Sequence, residues 1–326
     1  MSRSIFGRRK YMKVEWSLQR NESHHMLITN FLRAALTLTI VACHGDAFGQ
    51  QAANSKAITI SSVLQEEVAA YEIELRDLAK TKLKLHPEPV LSWVNPVRYQ
   101  QQGLVYVWTD QGKARAIGGV FTNYFSETRM YTSHEFHSLS SVGLQAKFAG
   151  KDVWHPEEPG LNFQAVVDAP APATKKPARL LQMRRMAQKF SAHSMTQESS
   201  RYELRLLSTP LFRYETAEDD IHDGAIFSMV SSAGTDPEIL LVFEVTDTAQ
   251  GPKWHYAAAR FSDSKLYLNL EEQQVWEFVY PDGVAGYRHQ VSETDRYRLW
   301  DNREFTAEEI KQLLKSAKEK TTVPAK

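Results

Sequence analysis

The chain has 326 residues, with 39 lysines and arginines against 39 aspartates and glutamates, and a single cysteine, Cys43. Balanced charge without a clustered basic face argues against nucleic-acid binding, which rests on neutralising phosphates. A lone cysteine excludes an internal disulfide, so the fold has to be held by core burial, for which the chain is long enough.

The first informative stretch is 31–50, FLRAALTLTIVACHGDAFGQ: an arginine, a short apolar run from Ala34 to Ala42, then Ala47-Phe48-Gly49. This is the layout of an export signal, with an apolar run too short to span a bilayer comfortably. It lies far from Met1, and starting at Met26 gives compact n-, h- and c-regions. Residues 1–49 are therefore read as an N-terminal extension and export signal, and the protein as extracytoplasmic, periplasmic or secreted. Two cleavages compete. One falls after Gly49; in the other, Ile40-Val41-Ala42-Cys43 acts as a lipoprotein box and Cys43 becomes a lipidated anchor. Contact with a membrane is expected only through the signal or that anchor. Residues 1–49 hold seven basic and three acidic side chains, which leaves an excess of four acids in the rest.

After the signal, Ser62 followed by Gln65 gives a capping-box pattern, and Val68, Tyr71, Leu75 and Leu78 form one stripe of an amphipathic helix expected to end before Pro87. Strands follow at 104–108, 114–121 and 133–140, and 144–154 ends at Trp154. The segment 169–177, rich in proline and alanine, reads as a semi-rigid linker. A second helix begins at Pro177, with Leu180, Met183, Ala187 and Phe190 at the spacing of the first; Arg184 and Arg185 form its solvated face. Strands follow at 225–230, 239–245 and 254–262, and 266–276 ends at Trp276.

The spacings of the two series agree. The second helix is offset from the first by 112 residues, and Asn95-Pro96-Val97-Arg98-Tyr99 answers Thr209-Pro210-Leu211-Phe212-Arg213-Tyr214. This predicts an α+β fold of two tandem pseudo-repeats, 56–168 and 178–280, each a helix packed on a curled antiparallel sheet with one face for a core and one for solvent or a ligand. A tail, 281–326, carries a turn at Pro281-Asp282-Gly283 and a C-terminal helix capped by Thr306 and Glu309.

Few residues point to chemistry. His134-Glu135-Phe136-His137 is the densest cluster of reactive groups, yet on a strand only Glu135 and His137 share a face, which defeats a zinc reading of the two histidines. Glu135 and His137 are the candidate catalytic pair for acid/base work, against a structural polar pair at the sheet edge. Arg98 and Arg213 recur in both copies and, with His134, are the candidate ligand-binding residues; a guanidinium grips anions bidentately, but it also pairs with internal carboxylates. The acidic run 219–224 lacks the alternating ligands of a calcium loop, and Gly234-Thr235-Asp236-Pro237 reads as a turn. Neither a metal site nor a cofactor motif is present in the sequence. Trp93, Trp108 and Trp254 fit either a core or a glycan-binding face; Trp154 and Trp276 are expected in cores.

The motifs SWVNPVR (92–98), SHEFHSL (133–139), the helix Arg179 to Phe190, ELRLLSTPLFRYE (203–215), DGAIF (223–227) and GTDPEILLVFE (234–244), in that order, carry a resemblance. Over Leu91 to Trp276 the chain resembles a family of uncharacterised exported proteins from planctomycete bacteria. The resemblance implies export and a globular unit but brings no reaction, ligand or catalytic residue. The expected function is a non-catalytic module that binds a small molecule, glycan or envelope component in the cleft between copies. The alternatives are an extracytoplasmic hydrolase using Glu135 and His137, and a purely structural envelope protein.

Overall fold

The computed structural model describes residues 59–76, 79–196, 200–216, 221–279 and 292–321. The expected export signal and Cys43 lie outside these residues. Among the described residues the fold is mixed α and β, dominated by strand, with three helices and a curled sheet.

Helix α1 (Ile60–Ala69) is capped one turn earlier than the sequence pattern indicates: the Thr59 hydroxyl accepts from the Ser62 amide, and the Ser62 hydroxyl accepts from the Thr59 amide. It is also shorter than expected. Tyr71 and Leu75 lie on β1 (Tyr71–Leu75), because Tyr71, Ile73 and Leu75 alternate with Glu72 and Glu74, and a period of two suits a strand better than a further helical turn. Next come β2 (Lys84–Leu85), β3 (Leu91–Asn95), β4 (Gln101–Asp110), β5 (Lys113–Ser126), β6 (Arg129–Ser138), β7 (Leu144–Phe148) and β8 (Lys151–Trp154). After β9 (Gln164–Ala165), α2 (Lys176–Ala187) starts with its proline in the first turn, where the missing N–H costs nothing. Phe190, expected on this helix, opens β10 (Phe190–Met195). Then follow β11 (Arg201–Leu206), β12 (Phe212–Tyr214), β13 (Ile221–Ser231), β14 (Pro237–Thr246), β15 (Lys253–Arg260), β16 (Lys265–Leu270) and β17 (Gln273–Phe278).

The tail contributes more than a helix. Its strand β18 (Tyr297–Glu304) pairs antiparallel with β6, and α3 (Ala307–Thr321) places Ile310 and Leu313 in the first core. Thr306 and Glu309 form the expected box, with the Thr306 amide donating to the Glu309 carboxylate at 2.8 Å.

Three sheets result. One has the order β18-β6-β5-β4-β2, with β3 also on β4; a second runs β17-β16-β10-β11-β13-β14-β15-β9, with β12 on β13; a small third is β1-β7-β8. In β4, Leu104, Tyr106 and Trp108 join α1 and the small sheet in one core. In β14, Ile239, Leu241, Phe243 and Val245 join α2 in another. The intervening residues, Val105 and Val107 on one sheet and Leu240 and Val242 on the other, meet in a third core together with Ile117, Ile226 and Phe261.

The expectation of one face per sheet left for solvent is thus corrected. The outward faces are apolar as well, and they bury each other, giving the two-sided hydrophobic strands that such packing demands. The buried strand β6 shows it: Phe136 faces the first core and Leu139, just beyond its end, the shared one.

Candidate functional site

The shared core gives way at one end to a cavity of about 540 Å³ whose walls come from both sheets. Across the first sheet a row of polar side chains borders it: Gln101 Nε2 donates to Asn123 Oδ1, Asn123 Nδ2 to Ser133 Oγ, and Ser133 Oγ to Asp301 Oδ1, each at 2.7 Å. The register puts these four on adjacent strands β4, β5, β6 and β18 facing one way. Beneath them lies the Trp93 indole, which crosses β4 at Gly103; a Cβ there would come within 2.5 Å of the ring. The Trp93 indole N–H is buried without a partner.

From the second sheet, the turn before β14 closes against the end of β3. The Thr235 amide donates to the Val94 carbonyl oxygen at 2.9 Å, and Asn95 Nδ2 donates to Asp236 Oδ1 at 2.9 Å. Gly234 permits this approach, since a side chain there would stand 2.7 Å from the Val94 oxygen. Arg98 reaches over the same junction to Asp236 and Glu238, at 3.5 and 3.4 Å. Burial works against its charge, but Glu238, Asp236, Asp263 and Glu135 outweigh burial and hold the guanidinium firmly protonated.

Arg98 is aimed by a tight turn in which both Tyr99 and Gln100 have positive φ, 49° and 45°, where non-glycine residues are strained. That turn also stacks Tyr99 on Phe125 (ring centroids 4.4 Å apart), and Phe125 stacks on Tyr131, making an aromatic rim.

Glu135 sits on β6 at the cavity wall. Burial, reinforced by Asp263 and Glu238, pushes its carboxyl up to about 8 against the hydrogen bond from Tyr297 and the charge of Arg260. The Tyr297 hydroxyl donates to Glu135 Oε1 at 2.6 Å. Burial likewise pushes Asp236 and Glu238 up, with Arg98 opposing. The Ser194 hydroxyl lies near enough to Glu238 to favour its ionised form, yet makes no well-formed hydrogen bond, and Glu238 Oε2 stays unpartnered. Among the described residues no three acidic, histidine or cysteine side chains stand together at metal-binding spacing.

His137 lines a different cavity, of about 630 Å³, with Arg260, Arg296 and Trp276. Its Nδ1–H donates to the Ser138 carbonyl oxygen at 2.7 Å, and burial, helped by Arg296 and Arg260, lowers it to about 4 against that bond. The Tyr297 ring lies beside both groups, its hydroxyl on Glu135 and its centroid 6.4 Å from that of His137. Arg260 stacks on the Tyr297 ring at 4.0 Å. No hydrogen bond joins Glu135 to His137.

His134 points to the opposite face, into the core under α1. Its Nε2–H donates to Glu67 Oε2 at 2.7 Å and its Nδ1 accepts from the Tyr71 hydroxyl, while Thr132 donates to the other Glu67 oxygen. The four groups are buried and partnered, which is what a core needs of polar side chains. Arg213 is committed to Asp223, with Nε 2.9 Å from Oδ1; Arg179 Nε reaches the same buried carboxylate at 2.7 Å. The two arginines therefore have different kinds of partner: Arg213 pairs with Asp223 on the neighbouring strand of its own sheet, and Arg98 crosses between the sheets at a cavity.

Trp93, Trp108, Trp154 and Trp254 are all buried, and Trp276 is half-buried. Of these, Trp93 lines the 540 Å³ cavity. The contributions of Asp236, Asp263, Gln101 and Tyr297 were not singled out by the sequence. Comparison with family models, curated proteins and solved structures finds no match.

Proposed function

We propose that the protein is an exported binding module built from two copies of one α+β unit, and that it holds a small polar ligand in the cavity between the copies. The single observation behind this reading is that cavity: about 540 Å³, lined from both halves, with aromatic walls and side chains whose hydrogen-bonding capacity is not used up. Its size lies within the usual range of small-molecule sites, roughly 300–1,000 Å³.

The duplication is supported by matching pairings. In each half a helix precedes a strand, β1 or β10, that pairs with a later strand, β7 or β16, which in turn pairs with β8 or β17. Between them β3 pairs with β4 and β12 with β13, each followed by a three-stranded meander. The hydrolase reading asks Glu135 and His137 to act on one substrate, and their separation into two cavities favours binding. The planctomycete family likeness and the signal pattern support an extracytoplasmic site of action.

The test is a thermal-shift screen of the protein against sugars, amines, carboxylates, nucleotides and cell-wall fragments, in the native sequence and in Ala233→Trp, which narrows the cavity mouth without removing a side-chain hydrogen bond. A ligand class that raises Tm in the native protein and not in the variant is expected, since a ligand of the native state stabilises it by mass action. If no class shifts Tm, or the shift persists in Ala233→Trp, the reading fails.

A further inference from the structure

The cavity wall carries acceptors that no side chain satisfies. Asp263, half-buried on the wall, takes part in no hydrogen bond or ion pair among the described residues. Glu135 has one oxygen occupied by Tyr297 and the other unbonded, an acceptor once the carboxyl has given up its proton; the Gln101 amide oxygen accepts nothing, its nitrogen being used on Asn123. The Trp93 indole N–H, on the same wall, is a buried donor without a partner. Of the cationic side chains near the cavity, Arg98 spans Asp236 and Glu238, while Arg129 lies over the Phe125 ring at the rim, 4.9 Å from its centroid. The floor is apolar and aromatic, with Trp93 and Phe121 in tilted contact and Phe261 beside them.

An anionic ligand would face the unpaired Asp263 carboxylate, with Arg98 already committed to two carboxylates. A neutral apolar one would leave the acceptors and the indole N–H unpartnered, and an unpaired buried polar group is costly. What complements this wall is a ligand that donates more than it accepts, carries positive charge and presents C–H faces to aromatic rings.

We propose that the cavity binds a primary ammonium carried on a small hydroxylated carbon frame, the chemistry of an amino sugar, with Asp263 and Glu135 taking the ammonium and Gln101 and Trp93 meeting hydroxyl groups. This rests on the reading of the inter-sheet cavity as a binding site and names its ligand class. One consequence is specific to a cation. The Glu135 side chain faces Tyr297, Asp263, Glu238, Arg260 and Arg98, and in this net field it holds its proton near neutrality. An ammonium beside it supplies the missing positive charge, so Glu135 releases its proton to solvent as the ligand enters, and affinity rises with pH for as long as the ligand keeps its own ammonium proton.

The experiment is isothermal titration calorimetry of the protein with D-glucosamine, D-glucose and N-acetyl-D-glucosamine at neutral pH, each in two buffers of different protonation enthalpy. Glucosamine is expected to bind at least about tenfold more tightly than the two uncharged sugars, with net proton release. Asp263→Asn should lower its affinity about tenfold or more while the protein still folds, the scale of a lost charge-assisted hydrogen bond. Glu135→Gln should abolish the proton release. Equal affinity for glucose overturns the cation and leaves the cavity reading standing. Glucosamine binding indifferent to Asp263→Asn, but blocked by Ala233→Trp, overturns the assignment of groups. Absence of binding by all three sugars overturns the proposal, and the wider screen then decides the cavity reading separately.

Discussion

Glu135→Gln is the sharpest perturbation of the buried polar seam between the sheets, because glutamine keeps an oxygen for the Tyr297 hydroxyl and copies the protonated acid without being able to ionise. In the folded protein the carboxyl is pushed from 4.5 up to about 8, with only 7% of the residue exposed. A carboxyl raised on folding contributes stability that is fully present below about pH 4.5 and is lost as pH rises to about 8. At about 1.4 kcal/mol per unit, the whole window amounts to roughly 3–5 kcal/mol. His137 acts in the other direction: lowered from 6.5 to about 4, it contributes stability that is present above pH 6.5 and lost as pH falls toward 4. The two slopes oppose each other between pH 4.5 and 6.5, so above pH 6.5 the loss from Glu135 stands alone. Urea denaturation from pH 4.5 to 8.5 should therefore find the native protein and Glu135→Gln within about 1 kcal/mol at the acid end, and the variant more stable by roughly 3–5 kcal/mol at the alkaline end. Parallel curves across that range would refute the account of Glu135 as a buried, proton-holding carboxyl.

Two further substitutions test the frame around the cavity. Gln100→Gly relieves a left-handed residue in the turn that aims Arg98, at φ 45°, and should stabilise the protein by about 0.5–1 kcal/mol in its urea midpoint; an unchanged or lower midpoint would mean the turn stores no strain. Asp223→Ala leaves Arg179 and Arg213 facing a pocket without their shared buried carboxylate, and should cost about 3–5 kcal/mol by the same measurement; a loss under about 1 kcal/mol would show that solvent takes over the two guanidinium groups.

The regular elements were legible because their cause is local. The short apolar runs at 104–108 and 239–245, rich in β-branched and aromatic residues, the proline opening α2 and the Thr306 to Glu309 box all act within a few residues, and each element stands where those patterns put it. The misplaced residues mark where two periods agree. Tyr71, Leu75 and Phe190 satisfy a helical stripe, but Tyr71 to Leu75 also satisfies strand alternation, and pairing with β7 decides for strand. β18 was missed for the opposite reason: Tyr297, Leu299 and Trp300 sit among Arg296, Arg298 and Asp301, so its pattern is weak, and its place comes from the free edge of β6.

The cavity was less legible still, since nothing within either half defines it. Glu135 was singled out for its neighbour His137, two residues away on the same face, yet its working neighbours are Tyr297, 162 residues on, and the acids of the second half. Arg98 was singled out for its likeness to Arg213, and the likeness hides the difference that matters. Arg213 finds Asp223 ten residues away in its own sheet, whereas Arg98 finds Asp236 and Glu238 only once the two sheets have packed face to face. Under the duplication proposed above, one arginine of a repeated pair has kept an internal partner and the other has come to span the junction. Spacing within a copy cannot distinguish the two. The distinguishing signal is the acidic pair Asp236 and Glu238 flanking Pro237 at the head of an otherwise apolar strand, where a buried charge requires a partner from elsewhere.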